Sequence, residues 1–225
     1  MNIGWIDFSK DQRNKVMSVI NLLSEPEAID ELGIGIIRDA FSDIFFPGTS
    51  TIQTRAKYFL ITPYLLAELE HEKGMTPDKM INCLHEKELD LIDILKHSGE
   101  IGIIGENAGR NLKRKPSDIY WNGIRTFGIF TGGKMSLYDY ARVACLLKNK
   151  KNSIKTLGSI SLKDDEKDGD DIDAVSGELA GAFWKLPDFS NWRDNLTIKL
   201  TKQEAEFLRN QIISSVPNSL LCFVL

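Results

Sequence analysis

Cysteine is scarce. The 225 residues hold three, Cys83, Cys145 and Cys222, which are far apart, odd in number and without a CxxC pair. That excludes a disulfide-built scaffold and leaves no zinc-ligand spacing, and it points to small buried hydrophobes in a reducing compartment. Histidine is equally sparse: His71, His85 and His97 are the three in the chain, and HExxH is absent because Leu89 stands where its second histidine belongs. There is no GxSxG for a nucleophilic serine. Gly33 and Gly35 lack the third glycine of a dinucleotide fingerprint, and the glycine-rich Gly102–Gly109 stretch lacks the GK[ST] of a phosphate loop. No catalytic motif is recognisable, so the expectation is a protein that is not an enzyme, with no cofactor and no bound metal. No run reaches 18 uninterrupted apolar residues, and the N-terminus shows no basic region leading into a long apolar one. Neither a membrane span nor a signal peptide is predicted, and the expected location is the cytoplasm, without a membrane partner.

What is present is ordinary folding material. Apolar residues make up 42% and charged residues 27%, enough to exclude a disordered chain, and the length suits one or two domains. Helix-start signals recur. Ser9 with Gln12 forms a capping box, Ser24 and Glu27 open a turn around Pro26, and Thr49-Ser50-Thr51 precedes a long apolar segment that Pro63 should kink or divide. Thr76-Pro77-Asp78, Ser117 after Pro116, Ser136 with Asp139, and Thr201 with Glu204 mark four further starts. Residues 32–46, LGIGIIRDAFSDIFF, are apolar on most sides and predict a mostly buried helix stopped by Pro47 and Gly48. Short strands are expected at Ile101–Ile104 and Leu196–Leu200. The predicted fold is mainly α with minor β: a helical bundle over residues 1–100 and a basic helix-turn-helix-like or winged-helix-like unit over 101–162. An acidic linker or loop at 163–178 and a C-terminal segment at 179–225 follow. The chain ends in SLLCFVL, an apolar run that should be buried in the core or at an interface.

Charge is unevenly spread. The formal net charge of -4 excludes a polycation, yet Arg110 to Lys155 holds eleven basic residues against Asp118 and Asp139, a local balance of +9. Basic clusters flank two short capped helices, with Tyr120, Trp121 and Phe127 between them. The functional expectation is contact with DNA or RNA phosphates. Lys113, Arg114 and Lys115, with Lys148, Lys150 and Lys151, would make the contacts. Arg110 adjoins them, and Arg125 and Trp121 would reach a groove or a base. The alternative is an internal pairing of this face with the acidic 163–178 stretch.

A second constellation lies in residues 33–59. Arg38, Arg55 and Lys57, beside the Thr49-Ser50-Thr51 turn, could form an anion site. Asp39 and Asp43 stand i,i+4 on one helix face and could share a metal in a metal-dependent nuclease, although no third ligand is near. Against both stands a buried ion-pair network that fixes a helical corner.

The opening IGWIDFS, the run DELGIGIIRDAFSDIFFPGTSTIQTRAKYFL and the later GENAGRNLKRKPSDIYWNGIRTFGIF resemble an uncharacterised prokaryotic family, domain of unknown function 6361. The resemblance covers nearly the whole chain and carries no established activity. It implies an accessory role in antiphage or DNA-handling systems, and a chain shortened at its C-terminus beyond SSVPNSLL. Two functional expectations stand together: a nucleic-acid-binding accessory protein, or a protein–protein scaffold subunit that binds no nucleic acid.

Overall fold

The computed structural model describes residues 13–17, 34–97, 99–161, 183–194 and 196–225, with the side chains of 150–161 excepted. The Ser9–Gln12 capping box, the turn at 24–27 and the acidic stretch 163–178 lie outside the described residues. The chain divides into two units, residues 1–46 and 47–225.

In the first unit, residues 13–17 are helical and α1 spans Ile34–Phe45. Pro47, with no N–H to donate, follows its last turn. α1 contributes no buried residue, which corrects the expected burial of 32–46 over its described part, 34–46.

The second unit is built around α2 (Tyr58–His71). Eleven of its fourteen residues are buried, and it runs unbroken through Pro63 rather than dividing there. It starts at Tyr58, not directly after Thr51, because residues 50–57 form turns. α3 (Pro77–Lys96) opens as expected: the Thr76 hydroxyl accepts from the Lys79 N–H, and Pro77 occupies the first position. A 3-10 turn, Gly109–Asn111, then leads to α4 (Pro116–Thr126). Ser117 does not cap α4. It lies inside the first turn, fully buried, while the Asp118 carboxylate accepts from the Lys115 N–H.

α5 (Leu137–Ser161) begins where Ser136 Oγ accepts from the Asp139 N–H. α6 (Lys202–Ser215) carries the expected capping box of Thr201 and Glu204. α7 (Leu220–Val224) holds the apolar C-terminal run, and Phe223 on it is exposed rather than buried.

α4 packs chiefly on α2, and α5 on α3, so helices on both sides of residue 100 share one core. The core is rich in rings. Phe59 meets Tyr120 and Phe127, Trp121 sits among Phe130, Tyr140 and Trp184, and Tyr64 stacks on Phe189. Gly123 lets α4 approach the 47–48 turn, since a Cβ there would lie 2.4 Å from the Gly48 carbonyl oxygen.

Among the described residues no strand forms. One isolated antiparallel bridge joins Phe130 and Trp184. The expected strand at Ile101–Ile104 is a loop because side chains hold its backbone. Thr54 Oγ1 donates to the Gly102 carbonyl (2.6 Å), Arg55 Nε to the Ile101 carbonyl (2.8 Å), and the Tyr58 hydroxyl accepts from the Ile104 N–H. Residues 196–200 do alternate between buried and exposed, yet no neighbouring chain pairs with them among the described residues. No helix among the described residues is long and apolar enough to cross a membrane.

Candidate functional site

Four of the basic candidates are engaged within the chain. Arg110 reaches from the 3-10 turn to α3, where it donates to Glu86 (3.1 Å) and Asp90 (2.6 Å). Lys115 is half-buried, with its ammonium on the Leu112 carbonyl. Arg125 donates to the Lys134 and Met135 carbonyls and to Asn122, tying α4 to the 134–135 turn. Lys148 donates to the Glu70 and Glu72 carbonyls and so satisfies the exposed end of α2; burial pushes its pKa down. Trp121 is a core ring whose Nε1 donates to the Met135 carbonyl (3.1 Å), which corrects its assignment to a base contact. Lys113 and Arg114 alone of the described candidates are exposed with no side-chain hydrogen bond or ion pair among the described residues. The side chains of Lys150 and Lys151 lie outside the described residues. The first turn of α4 is also no open anion hole. Glu88 already takes the Ser117 N–H (2.7 Å) and hydroxyl (2.9 Å), and Asp118 the Lys115 N–H.

The second constellation is likewise dispersed. Arg38 pairs with its neighbour Asp39 at 2.8 Å on the exposed α1, and Asp43 is exposed. Arg55 Nε donates to the Ile101 carbonyl. Lys57 is buried, with its ammonium 2.5 and 2.6 Å from the two carboxylate oxygens of Glu204. The anion that Lys57 meets is thus part of the chain. Among the described residues no group of three or more His, Cys, Asp or Glu side chains is placed to hold a metal.

What the sequence did not reveal is a set of buried and half-buried carboxylates around α2. Glu204 accepts from Lys57, from the Tyr64 hydroxyl (3.4 Å) and from the Thr201 N–H. Burial, with Glu204 next to it, pushes the Tyr64 hydroxyl well above its ordinary pKa. Glu88 accepts from Ser117 and Thr62, and full burial lifts its pKa to about 8 against the pull of those donors. Glu70 accepts from the Tyr140 hydroxyl and the Trp184 indole, and burial lifts it to about 7. Glu68 goes the other way: Arg193 and Trp192 outweigh its partial burial and lower its pKa. Only Glu204 left a readable sign, as the third residue of a capping box; its buried partner lies 147 positions earlier.

Two open features stand out among the described residues. The first is a cleft of ≈ 250 Å³ between the 188–194 turns and the start of α6, in which the buried Lys57–Glu204 pair is part of the lining. The second is the apolar side of α1. Ile34, Ile37, Phe41 and Ile44 recur at 3-4-3 spacing with Phe45 beside them, and they are 57, 59, 55, 63 and 43% exposed in that order.

No curated protein and no solved structure matches the chain. A family model, described as a family of unknown function (DUF6361), matches residues 1–224, a span that does not bear out the expected C-terminal shortening. With that match running nearly end to end, the chain belongs to the DUF6361 family.

Proposed function

We propose that the chain is an assembly subunit that pairs with a second copy of itself through the apolar side of α1. The observation that carries this reading is the exposure of five large apolar side chains in one stripe about 100° wide on that helix. At half exposure each, they leave on the order of 500 Å² of apolar surface in water, which is as large as the biggest patches monomers carry. Two such stripes together reach roughly 1,000 Å², the low end of a specific interface. A stripe at heptad spacing is self-complementary, and a twofold pair uses the same patch on both copies. The expected product is a reversible dimer. Sedimentation equilibrium across a concentration series tests it: the dimer forms with rising concentration and is lost in Phe41→Glu. A chain that stays monomeric at all concentrations overturns the reading.

A second reading keeps nucleic acid as the partner, within a helix-turn-helix-like unit of a cytoplasmic antiphage or DNA-handling system. The exposure of Lys113 and Arg114 with no side-chain partner among the described residues favours it. Two phosphate contacts contribute a salt slope of roughly -1.8 in log K against log salt. Gel-shift titrations of duplex and single-stranded DNA and of RNA should lose that share of the slope in the Lys113→Ala/Arg114→Ala double variant. No binding at low salt rules this reading out.

A further inference from the structure

We propose that residues 183–186 form a strap whose closure over the Glu70 carboxyl is controlled by the protonation of that group: the strap closes while the carboxyl is neutral and loosens once it is ionised. The proposal does not depend on the assembly reading. The strap is fastened in three ways. Its backbone makes one antiparallel bridge, in which the Phe183 carbonyl accepts from the Thr131 N–H (2.9 Å) and the Lys185 N–H donates to the Ile129 carbonyl (2.8 Å). The buried Trp184 ring packs against Trp121, Phe130 and Tyr140. Its indole N–H donates to Glu70 Oε1 at 2.9 Å. A bridge this short, with no further strand beside it among the described residues, is marginal by itself. The Trp184 ring and the carboxyl beneath it decide whether the strap stays down.

The Tyr140 hydroxyl donates to the same Glu70 oxygen, so two uncharged donors from two elements meet one atom. No cation forms an ion pair with this carboxyl among the described residues. Lys148 on α5 commits its ammonium to the Glu70 and Glu72 backbone carbonyls, and Lys185 on the strap is exposed. Glu72 is itself paired with Lys87 at 3.0 Å. The remaining titratable neighbours are neutral: burial, and then Glu70 itself, keep the Tyr140 hydroxyl protonated, and burial does the same for the Cys145 thiol near Lys148. A bare carboxylate is costly in such surroundings, whereas the carbonyl oxygen of a neutral carboxyl accepts both hydrogen bonds without a charge to solvate. Burial accordingly lifts Glu70 to about 7, against the pull of Tyr140, Trp184 and Lys148.

The same segment has a second anchor that does not titrate in this range. Trp192 and Arg193 donate to Glu68, two residues before Glu70 on α2. Burial alone would raise Glu68, but Arg193 and Trp192 outweigh it and keep the carboxylate ionised. One tryptophan of the segment is thus tied to an ion pair and the other to a carboxyl without a counter-ion. When the strap lifts, Glu70 meets water and returns toward its ordinary value of 4.5, so closing takes up a proton between 4.5 and about 7. Closure is strongest below 4.5, weakens by up to about tenfold for each pH unit above it, and reaches its floor above about 7. Loosening uncovers the rings of Phe130 and Tyr140, against which Phe183 and Trp184 otherwise lie.

Amide hydrogen exchange of the intact chain, followed by NMR and corrected for the intrinsic pH dependence of exchange, tests this. Protection of the Thr131 and Lys185 N–H groups is expressed relative to the Leu65 N–H in the buried middle of α2, which carries the pH dependence of global unfolding. That relative protection should fall about tenfold or more between pH 5.5 and pH 8. In Glu70→Gln, which keeps a carbonyl oxygen for both donors and cannot ionise, it should stay constant. The Trp184 indole N–H signal, assigned by its proximity to the Tyr140 ring, should titrate with a midpoint near 7, while that of Trp192 should not. The proposal is overturned if relative protection in the unaltered chain is the same at both pH values, or if the two indole signals titrate together. It is equally overturned if a folded Glu70→Gln chain keeps the fall. The first two results need no variant, so they decide the matter even if Glu70→Gln does not fold.

Discussion

α1 and α2 are two helices of similar apolar richness with opposite fates. α2 buries eleven of fourteen residues, and α1 buries none. Their polar content separates them more than their hydrophobic content does. α2 arrives with Lys57 before it and Glu68 and Glu70 near its end, and each finds a partner inside the second unit: Glu204, Arg193 with Trp192, and Tyr140 with Trp184. In α1, Arg38 has only its exposed neighbour Asp39 among the described residues. An apolar stripe can be covered by any neighbour of suitable shape, while a buried charge needs one specific counterpart. Around α2 those counterparts are present.

The sharpest way to break the contrast is to remove a counterpart. Glu204→Ala leaves the Lys57 ammonium buried alone and should cost about 4 kcal/mol of stability in urea unfolding. Leu65→Ala, at a fully buried position on α2, should cost about 3 kcal/mol. Ile37→Ala on α1, at low protein concentration where no dimer forms, should change stability by less than about 0.5 kcal/mol. Similar losses for Leu65 and Ile37 would erase the distinction between the two helices.

A pH series sharpens the same point. Folding raises Glu88 from 4.5 to about 8 and Glu70 from 4.5 to about 7. Between the unfolded and folded values the native state holds more protons, so the contribution of these two groups to stability is fully present below about 4.5 and is lost as pH rises toward 8. The urea midpoint should be higher at pH 5.5 than at pH 8.5, and Glu88→Gln should narrow the gap. At the small end, Arg110→Ala removes two exposed pairs to α3 and should cost at most about 1 kcal/mol, a loss that shrinks further in high salt.

Local signals were legible wherever a few adjacent residues decide the outcome. Thr76-Pro77, Ser136 with Asp139 and Thr201 with Glu204 start helices where hydroxyls and carboxylates satisfy the first-turn N–H groups. Pro47 and Gly48 end α1 as expected. Pro63 does not divide α2 because a long helix packed on several sides tolerates one missing hydrogen bond. The loop at 101–104 looked like a strand because its apolar run gives no hint that Thr54, Arg55 and Tyr58 hold its backbone. Several residues of the candidate site are engaged within the chain for a related reason. A count of lysines and arginines reports charge, yet Arg110, Arg125 and Lys148 are spent on partners 20, 9 and 78 positions away. The separation of Lys57 from Glu204 is greater still, and nothing local marks either as half of a buried pair.

That separation has a consequence for how the protein is made. Lys57 leaves the ribosome well before Glu204, and at 5–20 residues per second the 147 residues between them take roughly 7–30 s to add. During that interval the nascent chain can collect the apolar neighbours of α2 but not its counter-ion. Docking of α2 is therefore incomplete until translation has passed residue 204.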